Sequence, residues 1–164
     1  MAALTKLEAK LGECLGLAMA TRAATTIVIE LTRDLDEALA DRLETMQENS
    51  AETEERCSEL AGTFDGKEPA ILALAQAVKG TSTQMLLAYL DADSDASDGF
   101  EFLTIAVASE VAHWSALAQY NVRLDDEDLT ELIAWAVPVQ QRHLQTVLEG
   151  VRELAAEEDP ESAV

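Results

Sequence analysis

The chain has 164 residues, is 48% hydrophobic, and sets 32 acidic side chains against 11 basic ones, for a net charge of −21. That length suits one domain with a sizeable core, and the charge repels nucleic-acid phosphates and anionic membrane surfaces, so neither is an expected partner. No apolar run approaches the roughly 18 residues of a membrane helix, and the N-terminus is amphipathic without a signal-peptide core, which predicts a soluble, cytoplasmic protein.

The first apolar stripe runs Leu4, Leu7, Leu11, Cys14, Ala18, Thr21, Thr25, Val28 at steps of three and four, and predicts one helix ending near Thr32. Asp34 with Glu37 reads as a capping box for a second helix, whose stripe includes Leu39, Leu43, Met46, Ser50, Thr53 and Cys57 before Gly62 closes it. The short link makes these two an antiparallel hairpin. Cys14 and Cys57 are too few for a disulfide scaffold and read as buried reduced thiols.

Pro69 is placed to open a third helix. Its stripe, Ile71, Leu74, Val78, Ser82, Met85, Tyr89, continues in register through Gly80. The Asp91–Gly99 segment has the look of a calcium loop, yet Ala96 stands where the turn glycine belongs and Phe102 where the bidentate Glu belongs. It reads as a solvated turn, with Asp98 and Glu101 capping the next helix.

The last two helices carry the only histidines. The fourth has the stripe Leu103, Ala106, Glu110, His113, Leu117, Tyr120. The fifth, starting at Asp125, has Ile133, Ala136, Gln140, His143, Val147, Gly150, Leu154. Glu110-x-x-His113 and Gln140-x-x-His143 therefore place two ligand-capable pairs in stripes that would otherwise be apolar. Pro138 predicts a kink beside the second pair. Trp114 and Trp135 are expected to seal the bundle edge.

Lengths suggest the architecture. A third helix of about 23 residues spans about 34 Å and can carry the chain back along a whole bundle. The expected fold is all-α: a four-helix bundle of two antiparallel hairpins joined by a long helical crossover, covering residues 1–157, with 158–164 a disordered acidic tail. A five-helix up-and-down array is the alternative.

From about Phe100 to Ala156 the chain resembles the ferritin-like superfamily, which includes rubrerythrins and YciF-type stress proteins; Glu110-Val-Ala-His113-Trp114 and Gln140-Gln-Arg-His143 carry the resemblance. The first hairpin matches in pattern only. The resemblance implies a carboxylate-bridged pair of Fe or Mn ions at mid-bundle, with ferroxidase or peroxide-reducing activity. The motif is degenerate: Gln140 stands where a bridging Glu belongs, and His113 is added where Glu110 alone is needed.

Counting from a turn near residue 124, Glu110 and Gln140 lie at one height, while His113 and His143 differ by about 10 Å. The histidines then flank a metal pair with Glu110 between them, or Glu110 and His143 hold a single ion. On the first hairpin Glu52 and Glu54, at or near that height, turn inward as donors if the second helix rotates, and Arg22 is the cation that would instead neutralise Glu110 in an inert bundle. The expected ligands are Glu110, His113 and His143, with Gln140, Glu52 and Glu54 as auxiliaries, and the expected partners are metal ions and a second copy in a homodimer. The competing expectation is a non-catalytic helical module with a vestigial metal site. Whether the chain is an enzyme is open at this point.

Overall fold

The computed structural model describes residues 3–161 and contains five helices: α1 (Lys6–Thr32), α2 (Glu37–Thr63), α3 (Glu68–Tyr89), α4 (Ala96–Leu124) and α5 (Glu127–Glu157). The protein is all-α, and no strand occurs among the described residues. Of the expected acidic tail, Glu158 accepts a hydrogen bond from Ser97 at 2.9 Å; residues 162–164 lie outside the described part.

Capping side chains set the boundaries, and they differ from expectation. Thr5 and Glu8 form a capping box at the start of α1. Asp36, not Asp34, caps α2 by accepting from the Leu39 amide. Gly62 lies inside the last turn of α2, and the left-handed conformation falls instead to Gly66 in the following loop. Asp95 and Asp98 make the capping box of α4, so Ala96 and Ser97 are already helical. Asp91 anchors a turn through the Asp93 amide and the Ser94 hydroxyl, as a solvated loop requires. Asp125 ends α4 at φ 54°, and Asp126 caps α5.

The helices α1, α2, α5 and α4 close a ring in that order, each packing on the next, and α3 lies along the outside of α1 with a lesser contact to α2. The short connections make α1 antiparallel to α2 and α4 antiparallel to α5. Arg42 of α2 pairs with Glu153 of α5, and the Arg56 guanidinium lies 4.3 Å from the Trp135 ring centre, so α2 and α5 are antiparallel too.

Contact with three helices explains why α1 is long and apolar enough by composition to cross a membrane, contrary to the expectation that no segment would be. Just over half of that apolar window, 56%, is buried inside the protein. Gly12 and Gly16 give α3 its seat: a Cβ at Gly16 would come within 2.4 Å of the Ala75 carbonyl oxygen. They are therefore the strip on which the third helix lies close. The α3 stripe is turned from the expected one, with Leu86 buried and Met85 and Tyr89 exposed.

The core divides into two apolar clusters. One, around Val28, Leu43, Phe100, Leu103 and Val147, fills the end nearest the α1–α2 and α3–α4 connections. The other, around Leu11, Cys57, Trp114, Leu117 and Leu129, fills the opposite end. Between them lie buried polar side chains from all four ring helices.

Candidate functional site

That middle layer holds Thr21 of α1, Ser50 and Thr53 of α2, Glu110 of α4, and Gln140 and His143 of α5, none more than 3% exposed. Glu110 and Gln140 stand equally far from Asp125 along their antiparallel helices, hence at one height. The register is corroborated lower down, where Phe100 covers Gly150 and leaves no room for a Cβ. His143 sits one turn beyond Gln140.

The hydroxyls and the larger polar groups are satisfied differently. Ser50 and Thr53 donate to Met46 and Asn49 carbonyls of their own helix, at 3.0 and 2.8 Å, so each is left with lone pairs to offer. Both carboxylate oxygens of Glu110, both amide atoms of Gln140, both ring nitrogens of His143 and the indole nitrogen of Trp114 are buried without a hydrogen-bond partner. Native proteins rarely leave so many polar atoms orphaned, since each costs about 1–3 kcal/mol.

Burial is the largest influence on the protonation states. Desolvation pushes the Glu110 carboxyl up to about 7; the nearby Thr21 hydroxyl opposes this without making a hydrogen bond of good geometry. Desolvation, with a lesser push from Arg142, brings the His143 imidazole down to about 4. At neutral pH the histidine is neutral, with one lone pair free, and the carboxyl is divided between its two forms. Burial also raises the Cys14 and Cys57 thiols, and both sense Glu110, which places them at the edge of the layer as inert thiols.

Three of the expected ligands share this layer: Glu110, Gln140 and His143. The other three do not. His113 is half-buried at the rim, where Nδ1 donates to the Ser109 carbonyl at 2.8 Å and Nε2 lies 3.5 Å from the Glu13 carboxylate of α1. The reason is rotational. Relative to Glu110, the buried face of α4 (Leu103, Val107, Trp114, Leu117, Asn121) is centred about 20° towards position i+4, which puts His113 about 80° off centre and Trp114 on it. On α5 the buried face leans the opposite way from Gln140, so the same three-residue step carries His143 inward. Trp114 therefore belongs to the core and not to the bundle edge; only Trp135 lies at an edge, beneath Arg56.

Glu52 is held by Arg56 and Glu54 by Arg22, both on the outside of the bundle. Arg22 is thereby engaged at the surface, and the inert core pair with Glu110 does not form. Among the described residues no three His, Cys, Asp or Glu side chains gather as a metal cage. A carboxylate-bridged pair of ions does not fit this layer, because a second inward carboxylate is missing. The partnerless atoms that the layer does hold, one carboxylate, one imidazole and one amide oxygen, are of the donor types that a single divalent cation accepts. Thr21, Ser50 and Thr53 occupy the inward stripes expected of the first hairpin, whereas Trp114 was expected at the bundle edge and is in the core.

A narrow apolar cleft between α1, α3 and α4, about 70 Å³ in volume, approaches the layer. Met85 and Ile105 stand at its mouth and Thr21 in its wall. Compared with protein-family models, curated proteins and solved structures, the chain matches none.

Proposed function

We propose that this protein is a ferritin-like metal-binding bundle that holds one divalent cation, Fe or Mn, in its middle layer through Glu110, His143 and the Gln140 amide oxygen. The observation that carries the reading is the set of buried, partnerless donor atoms from those three residues in one layer. Such atoms are costly unless something binds them, and a mixed carboxylate, imidazole and carbonyl set suits these metals. The ring of α1, α2, α5 and α4 with a helical crossover outside it supports the ferritin-like arrangement. A bound ion of this kind supplies Lewis-acid and redox chemistry towards peroxide or O₂, consistent with a stress role. The chain's own contribution is a buried layer, a carboxyl that titrates near neutrality, and a cleft that has Thr21 in its wall.

The second reading, a non-catalytic module with a vestigial site, is favoured by the single inward carboxylate and by the outward ion pairs of Glu52 and Glu54. Metal analysis of protein purified without chelator separates the two. The proposal expects about one Fe or Mn per chain, lost in His143→Ala, and a raised Tm on adding Fe²⁺ or Mn²⁺ to the stripped protein. Protein that arrives without metal and keeps its Tm on addition of either ion leaves the structural module as the reading.

A further inference from the structure

We propose that the outer face of α4 is a self-association surface, on which two copies of this chain pack α4 against α4, antiparallel, about a two-fold axis at Ala112.

α4 buries one face in the bundle and leaves the opposite face bare. Ile105, Ala108, Ala112 and Gln119 are exposed there and Ala116 is half-exposed. At 100° per residue these positions fall within about 40° of one line along the helix. Glu101 and Arg123 lie at either end of that line, both exposed. Every position has a counterpart at the same distance on the other side of Ala112: Glu101 with Arg123, Ile105 with Gln119, Ala108 with Ala116. An antiparallel pair about a two-fold at Ala112 therefore brings Glu101 of each copy opposite Arg123 of the other, the isologous arrangement that a closed dimer requires. The alanines at the centre permit an interaxial distance near 8 Å.

Charge selects the occupant. The protein carries 32 acidic residues, yet between Glu101 and Asp125 the only acid on α4 is the buried Glu110, and α3 has none from Pro69 to Leu90. Two chains of net charge −21 repel each other over most of their surfaces, and that repulsion is weaker on this acid-poor side of the molecule. A basic partner would instead be drawn to α2 and α5. Glu101 has one oxygen engaged by the Tyr89 hydroxyl at 3.0 Å, which orients the carboxylate and leaves its other oxygen available. Arg123 makes no ion pair among the described residues. The surface lies outside the polar layer, so the inference does not depend on metal.

Sedimentation equilibrium of the full chain tests it, with Ala112→Asp, Glu101→Arg, the double variant Glu101→Arg/Arg123→Glu, and Ala112→Cys. The wild-type chain is expected at twice the chain mass, Ala112→Asp at the chain mass with unchanged helical circular dichroism, and Glu101→Arg weakened on the order of tenfold or more, with the double variant restored. Ala112→Cys is expected to form a symmetric disulfide dimer on mild oxidation, since both native cysteines are buried. A wild-type chain that stays monomeric at every concentration overturns the proposal. So does a dimer that persists in Ala112→Asp, or a charge reversal with no effect. Should Ala112→Asp lose helicity, the charge-swap pair and the cysteine cross-link decide the question.

Discussion

Glu110 and His143 titrate in reversed order: burial holds the carboxyl up at about 7 and the imidazole down at about 4, so on raising the pH the histidine loses its proton first. In water the order is the opposite. The layer thus avoids a buried ion pair and remains close to neutral between about pH 4 and 7, which is how four helices can hold a carboxyl and an imidazole without partners.

The two shifts act on stability with opposite signs. Glu110, with its folded pKa raised, contributes stability that is fully present below about 4.5 and lost as the pH rises through about 7. His143, with its folded pKa depressed, contributes stability present above 6.5 and lost as the pH falls through about 4. The contributions oppose each other across the shared window. In metal-free urea titrations, the stability of Glu110→Gln relative to wild type should rise by about 3 kcal/mol between pH 4.5 and 7. His143→Asn relative to wild type should fall by a similar amount, about 3 kcal/mol, between pH 4 and 6.5. Parallel pH profiles for both variants and wild type would refute the burial-driven shifts.

Cation binding should release a proton where Glu110 is still protonated. Calorimetric titration of stripped protein with Mn²⁺ at pH 6, in two buffers of different ionisation enthalpy, is expected to show a released fraction that vanishes at pH 8 and in Glu110→Gln. His113→Ala, Glu52→Gln and Glu54→Gln should retain the metal content of the wild type, because these side chains lie outside the layer. Loss of metal in any of the three would show that the layer is not the site.

Glycines at helix contacts should separate by what lies above them. Gly150→Ala drives a methyl into the Phe100 ring, 2.1 Å from Cε1, and is expected to destabilise by about 1–3 kcal/mol through overpacking. Gly80→Ala meets nothing within 4 Å and should stabilise by up to about 1 kcal/mol through helix propensity. Chemical denaturation of both variants checks the contrast.

Cys14 and Cys57 should resist an aromatic disulfide reagent in the native state and react together on unfolding, since both are fully buried with raised thiol pKa. Rapid reaction of either in the folded chain would show that the core end around Leu11 and Trp114 opens readily.

The sequence by itself determined the all-helical class, the core stripe of α1, the inward face of α5 with Gln140 and His143, and the equal height of Glu110 and Gln140. Three- and four-residue periodicity and short connections are local properties, and each survives in the structure. Tertiary packing decided what periodicity leaves ambiguous by one position. Steps of three and four both fit a helical face, so Leu103, Ala106, Glu110, His113 and Leu103, Val107, Glu110, Trp114 are equally regular. The choice fell to the helices pressing on α4, which bury the indole and leave His113 beside Glu13. The same ambiguity turned α3, where Leu86 rather than Met85 meets α1 and α4. Caps shifted by up to three residues because Asp recurs near the starts of α2, α4 and α5, and only the closing geometry shows which carboxylate reaches an amide. The layer of partnerless polar atoms was half visible as two histidine phrases. The hydroxyls of α1 and α2 were already in the inward stripes, but that they join Glu110, Gln140 and His143 in one buried layer was decided only by the packing of the four helices.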